Sequence, residues 1–185
     1  MDRRRFLIAA VGFLPTTLWG AELQRSRTYR AEGFVIDLPP DYIGPTEHAA
    51  GTSVSRGFRK PLPQSPLNTV IMITVQSNGP SFAKRLIKER AAMTRETLEP
   101  IIQGIGKNRT GFHRGEPKPV TLSNVPALKA GWSGSAQGAS FDGLVYCALV
   151  GQRAFAIQIQ DPAGLGNARL AEAVQAVERM RFDAN

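Results

Sequence analysis

Three long runs of β-forming residues, separated by very short glycine-containing connections, constrain the fold more than any other feature of this sequence. The runs cover residues 128–136, 139–150 and 153–160, and the connections are Gln137-Gly138 and Gly151-Gln152. Two-residue hairpin turns require positive φ, which glycine adopts at little cost. The pattern predicts three antiparallel strands in sequence order.

The first half of the chain contains shorter strand patterns. Residues 34–38 form a strand that Pro39 and Pro40 end, and residues 28–31 are positioned to pair with it. Residues 53–58 alternate between polar and larger side chains, which predicts a half-buried strand near a sheet edge. Residues 68–76 are dense in β-branched side chains, and we expect a central strand covered on both faces.

Two helices follow from apolar residues at helical spacing. Ser81 is positioned to cap the first helix, and Pro100 is expected to kink or end it, with Gly104, Gly106 and Gly111 in a following loop. The apolar stripe of this first helix is predicted to comprise Phe82, Leu86, Ile87, Ala91, Met93 and Leu98. The second helix follows Asp161-Pro162 and presents Leu170, Ala173, Val174, Val177 and Met180 on one face.

Helices that follow runs of strands, rather than alternating with them, predict an α+β domain with a largely antiparallel sheet. The length remaining after residues 1–20 fits one domain over residues 21–185. Cys147 is the only cysteine, so no intramolecular disulfide can form. It lies in an apolar strand pattern together with Tyr146, and we expect the thiol to be buried. Trp132 and Phe155 are also expected in the core.

The N-terminal residues 1–20 have the order of a cleavable export signal: basic residues, a short apolar run and a small-residue exit. Arg3-Arg4 and Phe6-Leu7 match the central positions of a twin-arginine signal, whereas an ordinary Sec signal with a basic start is the alternative. The apolar run is too short to span a bilayer, so no transmembrane anchor is expected after cleavage. The sequence therefore predicts a periplasmic protein of a Gram-negative bacterium.

The chain carries a formal net charge of +8. In the cell envelope a basic surface meets anionic lipid, polysaccharide or acidic proteins, and nucleic acid is not an expected partner. Lys84, Arg85 and Lys88 form the densest cluster, on the first helix. This cluster is either a partner face or a solvated helix face.

The stretch from residue 33 to residue 42 reads Gly-Phe-Val-Ile-Asp-Leu-Pro-Pro-Asp-Tyr, and residues 139–182 contain two long hairpin strands, a last helix and a terminal Arg181-Phe182. In these stretches and in element order the chain resembles the Mog/PsbP-like superfamily, which includes PsbP, DcrB-type and LpqN-type proteins. The resemblance implies an α/β/α sandwich with a central antiparallel sheet and flanking helices. It also implies a binding or accessory role and carries no catalytic residues to transfer.

A glycine-rich basic segment is the main candidate for ligand binding, and we expect it to be a loop that holds an anionic group or is simply solvated. Its basic residues are Lys107, Arg109, His113, Arg114 and Lys118. No cofactor motif or metal-ligand spacing occurs. The function predicted is an exported, non-enzymatic binding or accessory protein. The alternative is an envelope enzyme whose site combines His48, His113, Glu116 and Asp142.

Overall fold

The computed structural model describes residues 26–165 and 167–183, so the export signal predicted at residues 1–20 lies outside the described residues. The helices are α1 (Pro80–Lys107) and α2 (Ala168–Glu178). The strands are β1 (Arg27–Ala31), β2 (Phe34–Leu38), β3 (Ile43–Ala50), β4 (Ser53–Pro61), β5 (Asn68–Ser77), β6 (Thr110–Arg114), β7 (Lys118–Leu122), β8 (Val125–Ala136), β9 (Ala139–Val150), β10 (Arg153–Pro162) and β11 (Arg181–Phe182).

Within the described residues, eight strands form one antiparallel sheet in the order β3-β4-β5-β10-β9-β8-β6, with β7 also paired to β8. The predicted meander is confirmed as β8, β9 and β10, and its turn residues Gln137, Gly138 and Gly151 all have positive φ. A smaller sheet has the order β1-β2-β11, and the predicted pairing of β1 with β2 is confirmed. The large antiparallel sheet with two helices confirms the α+β class.

Alternation along β9 divides the core between the two faces of the sheet. Val145, Cys147 and Leu149 pack with α1, whereas Tyr146 and Ala148 pack on the opposite side with α2. The buried side chains of α1 are Leu86, Met93, Thr94, Leu98, Ile102 and Ile105.

The core on the α2 side also takes in the small sheet. Phe34, Ile36 and Leu38 of β2 are fully buried and belong to one cluster with Ala173 and Val177 of α2. Each large apolar side chain removed from water contributes about 1.5–3 kcal/mol. The predicted apolar face of α2 is confirmed, because Met180 is buried in this core and the partly buried Leu170 and Val174 pack against it.

The predictions for the ends of α1 were wrong. Gly79 is the N-cap and Pro80 begins the helix, so Ser81 lies in the first turn and makes no capping bond. The helix continues through Pro100 to Lys107, and its non-helical residue is Glu89. Packing of Leu98 and Ile102 on either side of Pro100 outweighs the backbone hydrogen bond that proline removes. Gly104 and Gly106 therefore lie in the helix, and Gly111 lies in β6.

The predicted apolar stripe of α1 and the covering of β5 also differ from the structure. Ile87 is 87% exposed, and Ala91 is exposed as well. On β5, Ile71 and Ile73 are fully buried on the α2 side, whereas Met72 on the other side is 37% exposed. α1 packs over β8 and β9 through the face that carries Leu86, Met93 and Leu98, and Ile87 and Ala91 lie outside that face. The same position of the helix leaves the α1 side of β5 uncovered.

Candidate functional site

The predicted basic loop does not exist as a loop. Lys107 ends α1, His113 and Arg114 belong to β6, and Lys118 begins β7. The glycines that suggested a loop occupy the end of the helix and a strand with an irregular register. Only residues 108–109 and 115–117 connect these elements.

The strand register also separates these basic side chains. Arg114 lies opposite Trp132, on the α1 side of the sheet, and donates a 2.6 Å hydrogen bond to Glu99 of α1. His113 lies opposite Ser133 and Lys118 lies opposite Lys129, both on the α2 side. The structure therefore does not bring the five predicted residues together, and ligand binding by Lys107, His113, Arg114 and Lys118 stays a prediction.

Arg109 is the member of this group with an unusual environment. Its guanidinium carbon lies 4.3 Å from the centre of the Trp132 ring, a cation–π arrangement. Nη1 donates to the Ile105 carbonyl oxygen at 2.7 Å, and Nη2 donates to Gln160 Oε1 at 2.8 Å. Nε is buried and has no acceptor within the part of the chain that the structure describes. Burial lowers the pKa of Arg109.

The Arg109 pocket lies between the C-terminal half of α1 and strands β5 and β10. It has a volume of about 460 Å³. Its lining combines apolar side chains from β5 and α1 with amide side chains from β10 and the end of α1: Val70, Met72, Ile101, Ile105, Asn108, Arg109, Gln158 and Gln160. A concave site with an apolar wall and a few convergent polar groups is the usual form of a small-molecule site.

Two glycines allow Arg109 and Trp132 to lie against the sheet. A Cβ at Gly134 would be 3.2 Å from Cβ of Arg109, and a Cβ at Gly143 would overlap the Trp132 ring. The indole therefore occupies the space above Gly143, and the guanidinium covers the indole.

A second concavity, the α1 groove, lies on the other side of α1, between that helix and the β7–β8 hairpin. Its volume is about 610 Å³. Ala91, Ala92, Pro119, Pro126 and Leu128 supply an apolar floor, and Arg90 and Arg95 supply positive charge. Within the described residues, neither arginine forms an ion pair. No local sequence pattern indicates this groove, because its walls are far apart in the chain.

The predicted cationic cluster on α1 divides into two parts. Arg85 is paired with Glu89 at 2.9 Å and with Glu96 at 3.5 Å, and these contacts neutralise it. The second part is Lys84 and Lys88, which lie near the exposed side chain of Ile87 on the N-terminal half of α1. Among the described residues, no helix has the length and apolar composition required to span a bilayer.

The residues of the alternative enzyme site are scattered. His48 lies on β3 and His113 on β6, at opposite edges of the large sheet, six strand steps or roughly 29 Å apart. His113 and Asp142 both lie opposite Ser133, which stands between them. A hydrolytic triad requires the histidine to lie between the serine and the acid, so this arrangement does not match a triad. The described residues contain no cluster of three or more His, Cys, Asp or Glu side chains with metal-binding geometry.

A buried polar network joins α2 to the sheet, and no local sequence pattern indicates it. Thr69 and Asp161 are buried and hydrogen-bonded to each other, and Arg169 donates from α2 to Thr69. Nearby, Lys60 pairs with Glu172 at 2.7 Å. The Tyr42 hydroxyl is buried without a partner among the described residues, and burial together with the Glu172 and Asp161 charges raises its pKa.

The remaining aromatic and thiol predictions are confirmed. Trp132, Tyr146 and Phe155 are buried, with Trp132 on the α1 side and the other two on the α2 side. Cys147 is fully buried against α1, and burial raises the pKa of its thiol to about 12.

No protein-family model and no curated protein matches this sequence.

Among solved structures, the chain is similar to cyanobacterial PsbP (CyanoP) from Synechocystis sp. PCC 6803, with a TM-score of 0.61 and 7% identity over 95% of this chain and 99% of that one. It is also similar to a protein from Bacteroides thetaiotaomicron VPI-5482 (TM-score 0.50, 15% identity, 88% of this chain). This chain spans 50% of the length of the Bacteroides protein. LpqN, involved in cell envelope biogenesis of Mycobacterium tuberculosis, matches with a TM-score of 0.48 and 14% identity over 85% of this chain and 90% of that one. The likeness to CyanoP shows that this chain has a PsbP-like fold.

Proposed function

We propose that this chain is an exported accessory protein of the periplasm that binds anionic lipid of the cell envelope through the α1 groove. The observation that carries the proposal is an apolar groove of about 610 Å³ bordered by Arg90 and Arg95. An apolar floor accepts an acyl chain, and cationic side chains beside it attract a phosphate head group.

The exposed side chains on the N-terminal half of α1 support a lipid more than a soluble ligand. Ile87 is 87% exposed, and Lys84 and Lys88 flank it. A helix face that combines exposed apolar and cationic residues is typical of proteins that lie on an anionic membrane surface.

Export is the second part of the proposal. The order of basic, apolar and small residues in 1–20 supports a cleavable signal, and Arg3-Arg4 with Phe6-Leu7 supports the twin-arginine route. Helix packing on both faces of the large sheet supports the α/β/α sandwich of the Mog/PsbP-like superfamily. A reporter fused to residues 1–25, tested with Arg3 and Arg4 changed to Lys, distinguishes the two routes. Export that survives both substitutions assigns the Sec route.

Vesicle flotation tests the lipid proposal with the processed protein isolated from cells. We expect binding to phosphatidylcholine vesicles that contain phosphatidylglycerol, little binding to phosphatidylcholine alone, and weakening by salt. Arg95→Glu is expected to weaken binding about tenfold, because charge reversal removes one attraction and adds one repulsion.

Matched variants distinguish the groove from general surface properties. Ile87→Ser is expected to weaken vesicle binding, whereas Leu165→Ser changes another exposed apolar residue, 52% exposed, and is expected to leave binding unchanged. Arg30→Glu is the corresponding charge control, since Arg30 lies in the small sheet. Equal binding by Arg95→Glu and Arg30→Glu contradicts the proposal. Crosslinking from position 87 that captures an acidic envelope protein and no lipid also contradicts it.

A further inference from the structure

Arg109 is a partly buried cation without an acidic partner. Within the described residues it forms no ion pair, and its two hydrogen bonds go to the neutral oxygens of Ile105 and Gln160. A guanidinium has five N–H donors, so three remain unused, including the buried Nε–H. A cation removed from water without a counter-ion is unfavourable, and an anion that binds it offsets that cost.

The protein positions this cation with several other groups. Trp132 supports the guanidinium from one side, and Gly134 leaves the room that its side chain needs. Gln158 lies opposite Met72 and Gln160 opposite Val70, so a row of amide side chains on β10 lies beside a row of apolar side chains on β5 in the pocket. The charge is therefore held at one end of a surface that also offers apolar contact.

We propose that the Arg109 pocket binds a small organic carboxylate with a short aliphatic chain. The carboxylate accepts hydrogen bonds from Arg109 and from the amide of Asn108 or Gln158, and the chain lies on Val70, Met72 and Ile101. Two features select this class over inorganic phosphate: a single arginine supplies the charge, and most of the remaining lining is apolar or neutral.

This site is separate from the one in the proposed function. The α1 groove lies between α1 and the β7–β8 hairpin, whereas the Arg109 pocket opens on the other side of α1, toward β5 and β10. Failure to detect carboxylate binding at Arg109 would therefore not contradict lipid binding at Arg95. The reverse also holds.

Isothermal titration calorimetry of the full chain with hexanoate tests the proposal, with hexanol and inorganic phosphate as comparison probes. We expect saturable binding of hexanoate and at least about tenfold weaker binding of both comparison probes. Trp19→Phe leaves Trp132 as the only tryptophan. Because Arg109 covers the Trp132 ring, hexanoate is expected to shift its fluorescence.

Two variants and one control locate the binding. Arg109→Gln is expected to weaken hexanoate binding about tenfold or more, since it removes a charge-assisted bond. Met72→Glu places a negative charge at a 37% exposed strand position, where we expect the fold to tolerate it, and is expected to abolish binding. Arg30→Gln removes a charge of the same type from the small sheet and is expected to bind as the unmodified chain does.

Several results would overturn the assignment. They are the absence of saturable hexanoate binding, equal binding of hexanol, equal binding of phosphate, or full binding by a folded Arg109→Gln or by Met72→Glu. If Arg109→Gln does not fold, as judged by circular dichroism, Met72→Glu alone decides the location.

Discussion

The hydroxyl of Thr69 donates a 2.5 Å hydrogen bond to the carboxylate of Asp161, and neither side chain is exposed to solvent. Arg169 Nε donates to the same hydroxyl oxygen at 2.9 Å, and Nη2 donates to the Lys60 carbonyl oxygen at 2.9 Å. Thr69 therefore connects β10 to α2 through its one side-chain oxygen. The network holds the helix in place on this face of the sheet.

Thr69→Val is expected to lower the free energy of unfolding by about 1–3 kcal/mol, because it leaves a buried carboxylate and an arginine without their shared partner. Urea unfolding followed by circular dichroism measures the change. Thr74→Val is the matched control on the same strand: the Thr74 hydroxyl bonds Ser55 at 2.8 Å on the half-exposed side of the sheet. Equal losses in the two variants would contradict a special role for Thr69.

Gly143→Ala is expected to lower the free energy of unfolding by about 1–3 kcal/mol, since the added methyl group overlaps the Trp132 ring and the Ile159 carbonyl oxygen. Thermal unfolding measures the loss, and the Trp132 fluorescence spectrum shows displacement of the ring. Gly131→Ala is the control within the same hairpin, because its Cβ would meet Leu144 at an ordinary 3.8 Å. A Gly143→Ala protein as stable as the Gly131→Ala protein would show that the ring moves without cost.

Sequence patterns predicted the elements that local chemistry determines. The β8–β10 meander follows from glycine at two tight turns, and α2 follows from one continuous apolar face. Pro100 did not predict a kink or the end of α1, because the packing of Leu98 and Ile102 keeps this proline inside the helix. β3 was missed since its residues are exposed on both faces and show no alternation.

The candidate site at Arg109 and the buried network at Thr69 are formed by contacts between residues far apart in the sequence. No local pattern predicts such contacts. Arg109 was identified as a residue for an anion, but its support comes from Trp132 and Gln160, which lie on β8 and β10. Thr69 and Arg169 meet across 100 positions of sequence. Glycines within strands, such as Gly134 and Gly143, are the one available signal, because they indicate a close approach by another group.

Asp37 joins all three strands of the small sheet, and its contribution to stability is expected to depend on pH. Thr28 donates to Oδ1 at 2.6 Å, and Arg181 donates to Oδ2 at 3.1 Å; these two bonds lower the pKa of Asp37 below its ordinary value of 3.8. A lowered pKa means that the stabilisation is present above pH 3.8 and is lost as the pH falls through the folded-state value.

Asp37→Asn is therefore expected to lower stability at neutral pH by about 0.5 kcal/mol, a small value because the side chain is partly exposed. The difference from the unmodified protein should shrink in acid. Urea midpoints measured from neutral pH down to about pH 3 check this. A difference that stays constant over that range would assign the effect to packing and not to charge.

Cys147 is expected to make the protein less stable in alkali. Burial raises the pKa of its thiol from 9.0 to about 12, so between these values the unfolded chain loses a proton that the folded chain keeps. The folded state then binds more protons than the unfolded state, and the free energy of unfolding falls as the pH rises through this window. Tyr42 and Tyr146 also have a pKa raised by burial and add to the slope above pH 10.

Cys147→Ala isolates the thiol from the tyrosines. At neutral pH the variant is expected to be less stable by about 1 kcal/mol, because the smaller side chain leaves a small cavity beside α1. Between pH 9 and 12 its stability should fall less steeply than that of the unmodified protein, and the two curves should converge. Urea unfolding at each pH measures the curves, and parallel curves would contradict a buried, protonated thiol. In the unmodified protein, a thiol reagent at pH 8 should react only as fast as the protein unfolds, since Cys147 is fully buried.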